Sequence, residues 1–142
     1  MKIFNTFIHC IPPSTTAQQH KRIFKTKDGR AFLGTDSKGI SVQNELCALL
    51  STHAPSPDFP RDQPISVTIR IQYPWRKSEK KSVINRATPI AHTSRPDVDN
   101  LLKFLLDCMT RCHYWDDDSQ IWNLHAVKVW GPQPGILISI QV

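Results

Sequence analysis

Acidic residues are few in this chain. Its 142 residues hold 12 Asp and Glu against 18 Lys and Arg, a formal net charge of +6. That excess favours an anionic partner, and nucleic acid is the commonest one. Glycine is scarcer still: there are five, and none falls in the spacing of a phosphate-cradling loop or a dinucleotide fingerprint. A nucleotide cofactor is therefore not expected. No apolar run approaches the roughly 18 residues that a membrane span needs. The opening residues, with Lys2 among mixed polar and apolar side chains, do not read as a signal peptide. The expected location is the cytoplasm, where the four cysteines stay reduced. Cys108 and Cys112, beside His113, have no second cysteine pair or spaced histidine pair to complete a zinc site.

What is present suits one α+β domain spanning residues 1–142. Residues 2–11, with Ile3, Phe4, Phe7, Ile8 and Ile11, read as a first strand that Pro12-Pro13-Ser14 ends. Residues 15–34 are polar and basic and read as a loop with a short hairpin around Asp28-Gly29. Val42, Leu46, Leu49 and Leu50 have helical spacing over 37–53, with Asp36 or Ser37 as cap and Pro55 and Pro57 as stop. Ile65, Val67, Ile69, Ile71 and Tyr73 alternate with polar residues, which predicts a strand with one buried face. Residues 74–96 show no period, and an irregular stretch of that length is commonly functional or mobile. Val98, Leu101, Leu102, Leu105, Leu106 and Met109 then form a helical apolar stripe. Strands follow at 121–130 and 136–142, with Gly131-Pro132-Gln133-Pro134-Gly135 as the hairpin loop between them. The expected order is β-α-β-α-β-β: a small mixed sheet with two helices packed on it. Trp115, Trp122 and Trp130 are expected in packing or interface positions.

The chemistry-bearing stretch is Asp97-Val98-Asp99-Asn100-Leu101-Leu102-Lys103. Residues two apart on a regular helix point to nearly opposite sides. The carboxylates of Asp97 and Asp99 meet at one point only if Asp97 lies at or before the helix cap, and Pro96, which biases Ser94-Arg95 toward extended backbone, places Asp97 near the helix N-terminus. Asp is also a good N-cap, which by itself explains one acid. The turn Asp116-Asp117-Asp118 after the same helix adds a like-charge cluster that favours solvent or a cation. Carboxylates in this number suit a hard divalent ion, which Mg²⁺ illustrates by taking few carboxylates and keeping waters. Such an ion activates water against a phosphodiester. Lys103, one turn after Asp99, is placed either to hold a phosphate or to form an ordinary ion pair with Asp99 or Asp107.

Residues 95–121 resemble the RusA-type Holliday junction resolvases. The resemblance rests on Asp97-x-Asp99-Asn100-Leu101-Leu102-Lys103, on Leu106-Asp107, and on Trp115-x-Asp117-Asp118-Ser119-Gln120-Ile121. It implies that Asp97, Asp99 and Asp118 bind Mg²⁺, with Mn²⁺ able to substitute, and that Lys103 assists catalysis. It also implies a homodimer that nicks four-way and related branched DNA symmetrically, in recombination and repair. Each protomer is expected to carry a complete three-aspartate site. The segment before Asp97 is longer than in compact members, and Thr15 to Arg22 replaces an Asn-rich stretch. Lys21, Arg22, Lys25, Arg76, Lys77, Lys80, Lys81, Arg86 and Arg95 lie in or beside these segments and are the candidate DNA contacts.

Two alternatives are separable from this reading. A restriction-type nuclease needs an acid-x-Lys triplet on a strand, and His125-Ala126-Val127-Lys128 supplies no acid at that place. A non-catalytic module that only grips branched DNA would differ by failing to cut in Mg²⁺.

Overall fold

The computed structural model describes residues 1–56 and 59–142. Pro57, one of the two prolines expected to stop the first helix, lies outside the described residues. Five strands form one sheet: β1 (Ile3–His9), β4 (Ile65–Pro74), β5 (Ile90–Ala91), β6 (Ile121–Gly131) and β7 (Gly135–Gln141). Their order is β1-β7-β4-β6-β5. A separate two-stranded hairpin joins β2 (Lys21–Lys25) to β3 (Ala31–Thr35). The helices are α1 (Ser37–Thr52), a short α2 (Lys81–Arg86) and α3 (Val98–Arg111).

β4 is the centre of the sheet because it can bury one whole face. Ile65, Val67, Ile69, Ile71 and Tyr73 are all buried, whereas Thr68 between them is exposed. Ile136, Ile138 and Ile140 of β7 continue the apolar layer. Leu46 and Leu50 of α1 join that core with Leu101, Phe104, Leu105, Cys108 and Met109 of α3. Tyr114 crosses this layer and donates its hydroxyl to the Leu50 carbonyl at 2.8 Å.

The stripe expected on α3 is displaced by part of a turn. Val98 is exposed, while Phe104 and Cys108, absent from the expected stripe, are buried. This leaves Val98 and Asp99 exposed while Leu101 anchors the first turn in the core. Of the expected tryptophans, Trp115 is fully buried, Trp130 is half-buried, and Trp122 is exposed.

β6 and β7 do not form the expected hairpin. β4 lies between them, pairing parallel with β6 and antiparallel with β7. The 131–135 loop therefore passes over the end of β4 rather than turning back on β6. Gln72 of β4 fixes this crossing by donating to the Gln133 carbonyl at 2.6 Å. A Cβ on Gly131 would stand 2.6 Å from the Gln72 side chain, so the crossing needs glycine there. Segment 74–96 is also more ordered than its lack of period suggests, since it holds α2 and β5.

The parallel pair has a geometric consequence. Two parallel strands need a crossover of a dozen or more residues, usually a helix running back along them. α3 is that helix, so its N-terminus stands at the carboxyl ends of β4 and β6. Residues before β6 stand at the opposite ends.

Candidate active site

Asp97 is the N-cap residue of α3, with extended φ −65° and ψ 142°, and Asp99 lies in the first turn. The Asp97 carboxylate makes no capping hydrogen bond, although the position suits one. Both acids line one open groove of about 580 Å³ beside the sheet. Among the described residues, neither enters an ion pair within 4.0 Å. The arrangement answers the geometric condition set by the sequence: a non-helical backbone at Asp97 lets its carboxylate share a groove with that of Asp99.

The opposite wall comes from β6. Lys128 extends its ammonium to the chain just before Asp97, donating to the carbonyl oxygens of Ser94 and Pro96. Burial lowers the Lys128 pKa from its ordinary value, and the negative charge of Asp97 opposes that shift. His92 completes the wall. It is buried and stacks on Trp130 with ring centres 3.7 Å apart and planes 11° from parallel. Its Nδ1 accepts the Ser94 N–H at 3.3 Å, which requires the ring proton on Nε2. Burial, and then the positive charges of Lys128 and Arg76, hold the His92 pKa below its ordinary value. Sequence reading missed Lys128 and His92 as parts of this region. Neither lies in a motif, and only the parallel pairing of the strands brings β6 against the loop before α3.

Asp118 is elsewhere. It opens the short 3-10 turn Asp118–Gln120 that leads into β6. Lys128 beside the groove is seven residues along β6 from its first residue, Ile121. At about 3.3 Å per residue this puts the Asp118 turn roughly 20 Å from the groove. The 14-residue α3 spans the same gap and gives a similar length at about 1.5 Å per residue. Among the described residues, no three His, Cys, Asp or Glu side chains gather closely enough to hold a metal ion. The expectation that each protomer holds all three aspartates together is therefore not met, because Asp118 precedes β6 whereas Asp97 and Asp99 sit where β6 ends.

The Asp-rich turn separates its own members. Asp117 accepts the Ser119 N–H at 2.8 Å and lies 3.5 Å from Arg61, a structural role. Those contacts, the Ser119 amide first, hold its carboxyl below the usual range. Buried Gln120 knots the turn: its Oε1 accepts the N–H groups of Asp116 and Asp117, and its Nε2 donates to the carbonyls of Pro60 and Gln63. Asp118 is exposed on this rigid base.

Lys103 does not line the groove of Asp97 and Asp99. It lines a small recess with Asn100, Asp107, Gln18 and Lys21, next to the root of the β2–β3 hairpin. Neither expected ion pair of Lys103 forms among the described residues. The candidate DNA contacts occupy three places. Lys21, Arg22 and Lys25 are exposed on β2, Lys77, Lys80, Lys81 and Arg86 are exposed on or just before α2, and Arg95 is exposed before Asp97. Arg76 is exposed as well. Its guanidinium donates to Glu79 at 2.9 Å and lies 5.5 Å from the Trp130 ring centre, and Arg22 likewise lies 3.6 Å from Asp36.

Two carboxylates in an open groove, neither in a close ion pair among the described residues, suit a hard divalent cation that completes its shell with water.

The family model described as Endodeoxyribonuclease RusA matches residues 11–141. The chain belongs to the RusA endodeoxyribonuclease family. It is 35% identical over 114 residues to the crossover junction endodeoxyribonuclease rusA of Lactococcus phage r1t, covering 80% of this chain and 79% of the relative. It is 24% identical over 119 residues to the uncharacterized protein YqaN of Bacillus subtilis strain 168, covering 81% and 82% respectively. No helix among the described residues is long and apolar enough to cross a membrane.

Proposed function

We propose that this protein is a Mg²⁺-dependent endodeoxyribonuclease that nicks four-way junctions and related branched DNA in symmetric pairs, acting in the cytoplasm during recombination and repair. The observation that carries the reading is the pair Asp97 and Asp99. Asp97 occupies a cap position without capping, and its carboxylate shares the groove with Asp99. Family membership gives that pair its substrate class.

Asp97 and Asp99 hold the cation, Mg²⁺ or in its place Mn²⁺. A divalent ion there supplies Lewis acidity toward a phosphodiester oxygen and lowers the pKa of bound water. Lys128 holds the loop that delivers Asp97, and neutral His92 holds the Ser94 amide of that loop. Lys103, with Lys21 beside it, offers positive charge to a phosphate reaching past α3. The exposed cations Arg22, Lys25, Lys77, Lys80, Lys81, Arg86 and Arg95 position the backbone of the DNA. Asp118 is the third ligand. Since one chain keeps it at the far end of β6, the complete site unites Asp97 and Asp99 with Asp118 of the partner subunit in a homodimer.

The test uses a labelled synthetic four-way junction and a matching linear duplex, each with and without Mg²⁺. Paired nicks in the junction alone, dependent on metal, are expected. Asn at Asp97, Asp99 or Asp118 is expected to abolish nicking and to leave junction binding largely intact. Junction binding by the wild-type protein with no scission in Mg²⁺ would instead make it a structure-specific binding protein.

A further inference from the structure

The β2–β3 hairpin carries large apolar side chains that stand exposed. Every residue from 21 to 33 is exposed. Ile23 pairs with Leu33, and Phe24 with Phe32, across the ribbon. Their exposures are 74%, 64%, 37% and 51%, high for four large apolar residues in one short hairpin. The two phenylalanine rings stack, with centres 5.6 Å apart and planes 23° from parallel. Gly34 leaves space for them: a Cβ there would stand 3.0 Å from the Phe24 ring. One face of the ribbon is thus a small aromatic shelf, and the other carries Ile23 and Leu33.

The hairpin is firmly planted. Buried His20 at its root lies 3.0 Å from Asp36 Oδ1 through Nδ1 and 3.0 Å from Thr15 Oγ1 through Nε2. Asp36 also caps α1 by accepting the Gly39 N–H at 2.9 Å. At the tip, the Thr26 and Arg30 backbones bond at 2.8 Å, and Gly29 takes φ 87° to close the turn. A rigid projection loses little conformational freedom on contact, which favours its use as a binding element.

Charge decides what it contacts. Residues 21–35 hold Lys21, Arg22, Lys25, Lys27 and Arg30 against one acid, Asp28. Docking against the same hairpin of a second copy would oppose like charges. A polyanion that also presents flat apolar surface fits both features, and unpaired nucleic-acid bases present it: aromatic rings stack on them while cations follow the phosphates. The location agrees, because Lys21 at the hairpin root shares a recess with Lys103 and Asn100 on α3, the helix that bears Asp97 and Asp99.

We propose that the β2–β3 hairpin is a base-stacking wedge, in which the paired rings of Phe24 and Phe32 hold a base unstacked at the branch point. This rests on the junction-cleaving reading above and adds to it a specific contact with unpaired bases.

The experiment places 2-aminopurine at the branch point of a four-way junction and follows its fluorescence on binding, in EDTA so that no strand is cut. The wild-type protein is expected to raise the signal several-fold. The double variant Phe24→Leu and Phe32→Leu keeps apolar bulk but removes the rings. It should lose the rise and weaken junction binding on the order of tenfold, with the slope of log K against log salt unchanged because no phosphate contact is lost. Phe24→Trp with Phe32→Trp should keep the rise, which guards against loss by misfolding. A full fluorescence rise with the Leu pair would overturn the wedge, as would no rise with the wild type. A shift of the Leu pair from dimer to monomer in sedimentation would also overturn it, in favour of a protein contact. Nicking of junctions in Mg²⁺ is measured alongside. A wild type that nicks while the Leu pair still unstacks the base sinks the wedge alone, and a wild type that nicks nothing sinks the junction-cleaving reading beneath it.

Discussion

Lys128 on β6 donates to the carbonyl oxygen of Pro96, the residue immediately before Asp97. With its second bond, to Ser94, this ammonium ties the loop before α3 to the edge of the parallel strand pair. A hydrogen bond from a charged group contributes roughly 1.5–3 kcal/mol when well buried, and Lys128 is only half-buried. Lys128→Met is expected to lower stability by about 1 kcal/mol. It should speed amide exchange across residues 94–99 and reduce nicking about tenfold, with junction affinity unchanged. Wild-type exchange and wild-type turnover in that variant would show that Lys128 does not position Asp97.

His92 gives the same loop a dependence on pH. Its pKa in the fold lies below its ordinary value, chiefly through burial. Above the ordinary value of about 6.5 the ring is neutral, folded or unfolded, and nothing changes. As pH falls below that, the unfolded chain takes a proton that the folded chain refuses, so stability declines until the folded pKa is passed. His92→Phe keeps a ring against Trp130 and removes the titration. Urea unfolding at pH 7.5 and 5.5 should show a larger loss for the wild type than for His92→Phe, the other histidines being common to both. Equal losses would assign the effect elsewhere.

Much of this was legible because it is local. The alternation at 65–73 and the cap at Asp36 are written in adjacent residues, and both stand in the fold. The extended backbone at Asp97 follows from its place as the residue before a helical stripe, where an N-cap takes non-helical backbone angles. Strand order is different in kind. Nothing in residues 121–142 states that β4 inserts between the last two strands, since that depends on which edges can bury most apolar surface. The separation of Asp118 from Asp97 follows from the same parallel pairing, so it was illegible for the same reason. α2 and β5 escaped notice because six- and two-residue elements are too short to show a period.

The hairpin root makes a prediction that runs against helix propensity. Replacing glycine by alanine inside a helix commonly stabilises by about 1 kcal/mol. Gly39, in the first turn of α1, faces His20: a Cβ there would stand 2.4 Å from the His20 Cβ and 2.6 Å from Thr35 Cγ2. Neither neighbour is the free end of a flexible chain, so the backbone must give way at a cost of about 1–3 kcal/mol. Gly39→Ala should therefore melt several degrees lower than the wild type. A higher melting temperature would mean that the root can open without penalty.

The position of Asp118 makes the strongest demand on assembly. If each protomer used only its own acids, a dimer of one Asp97→Asn chain and one Asp118→Asn chain would have no intact site. If the site is shared, that mixed dimer has one doubly damaged site and one intact site, made of the unaltered Asp97 and Asp99 of one chain with the unaltered Asp118 of the other. Each variant alone is inactive under either arrangement, so the mixture reports only on sharing. Random exchange makes about half the dimers mixed, and each has one working site of two, so about a quarter of wild-type nicking should return. The returned products should be single nicks rather than the paired nicks that resolve a junction, because the second site in each mixed dimer is dead. The measurement is nicking of a labelled junction by separately purified chains, before and after co-refolding. Inactivity of a mixture shown by mass to contain mixed dimers would return Asp118 to a role outside the metal site, or confine the metal to Asp97 and Asp99.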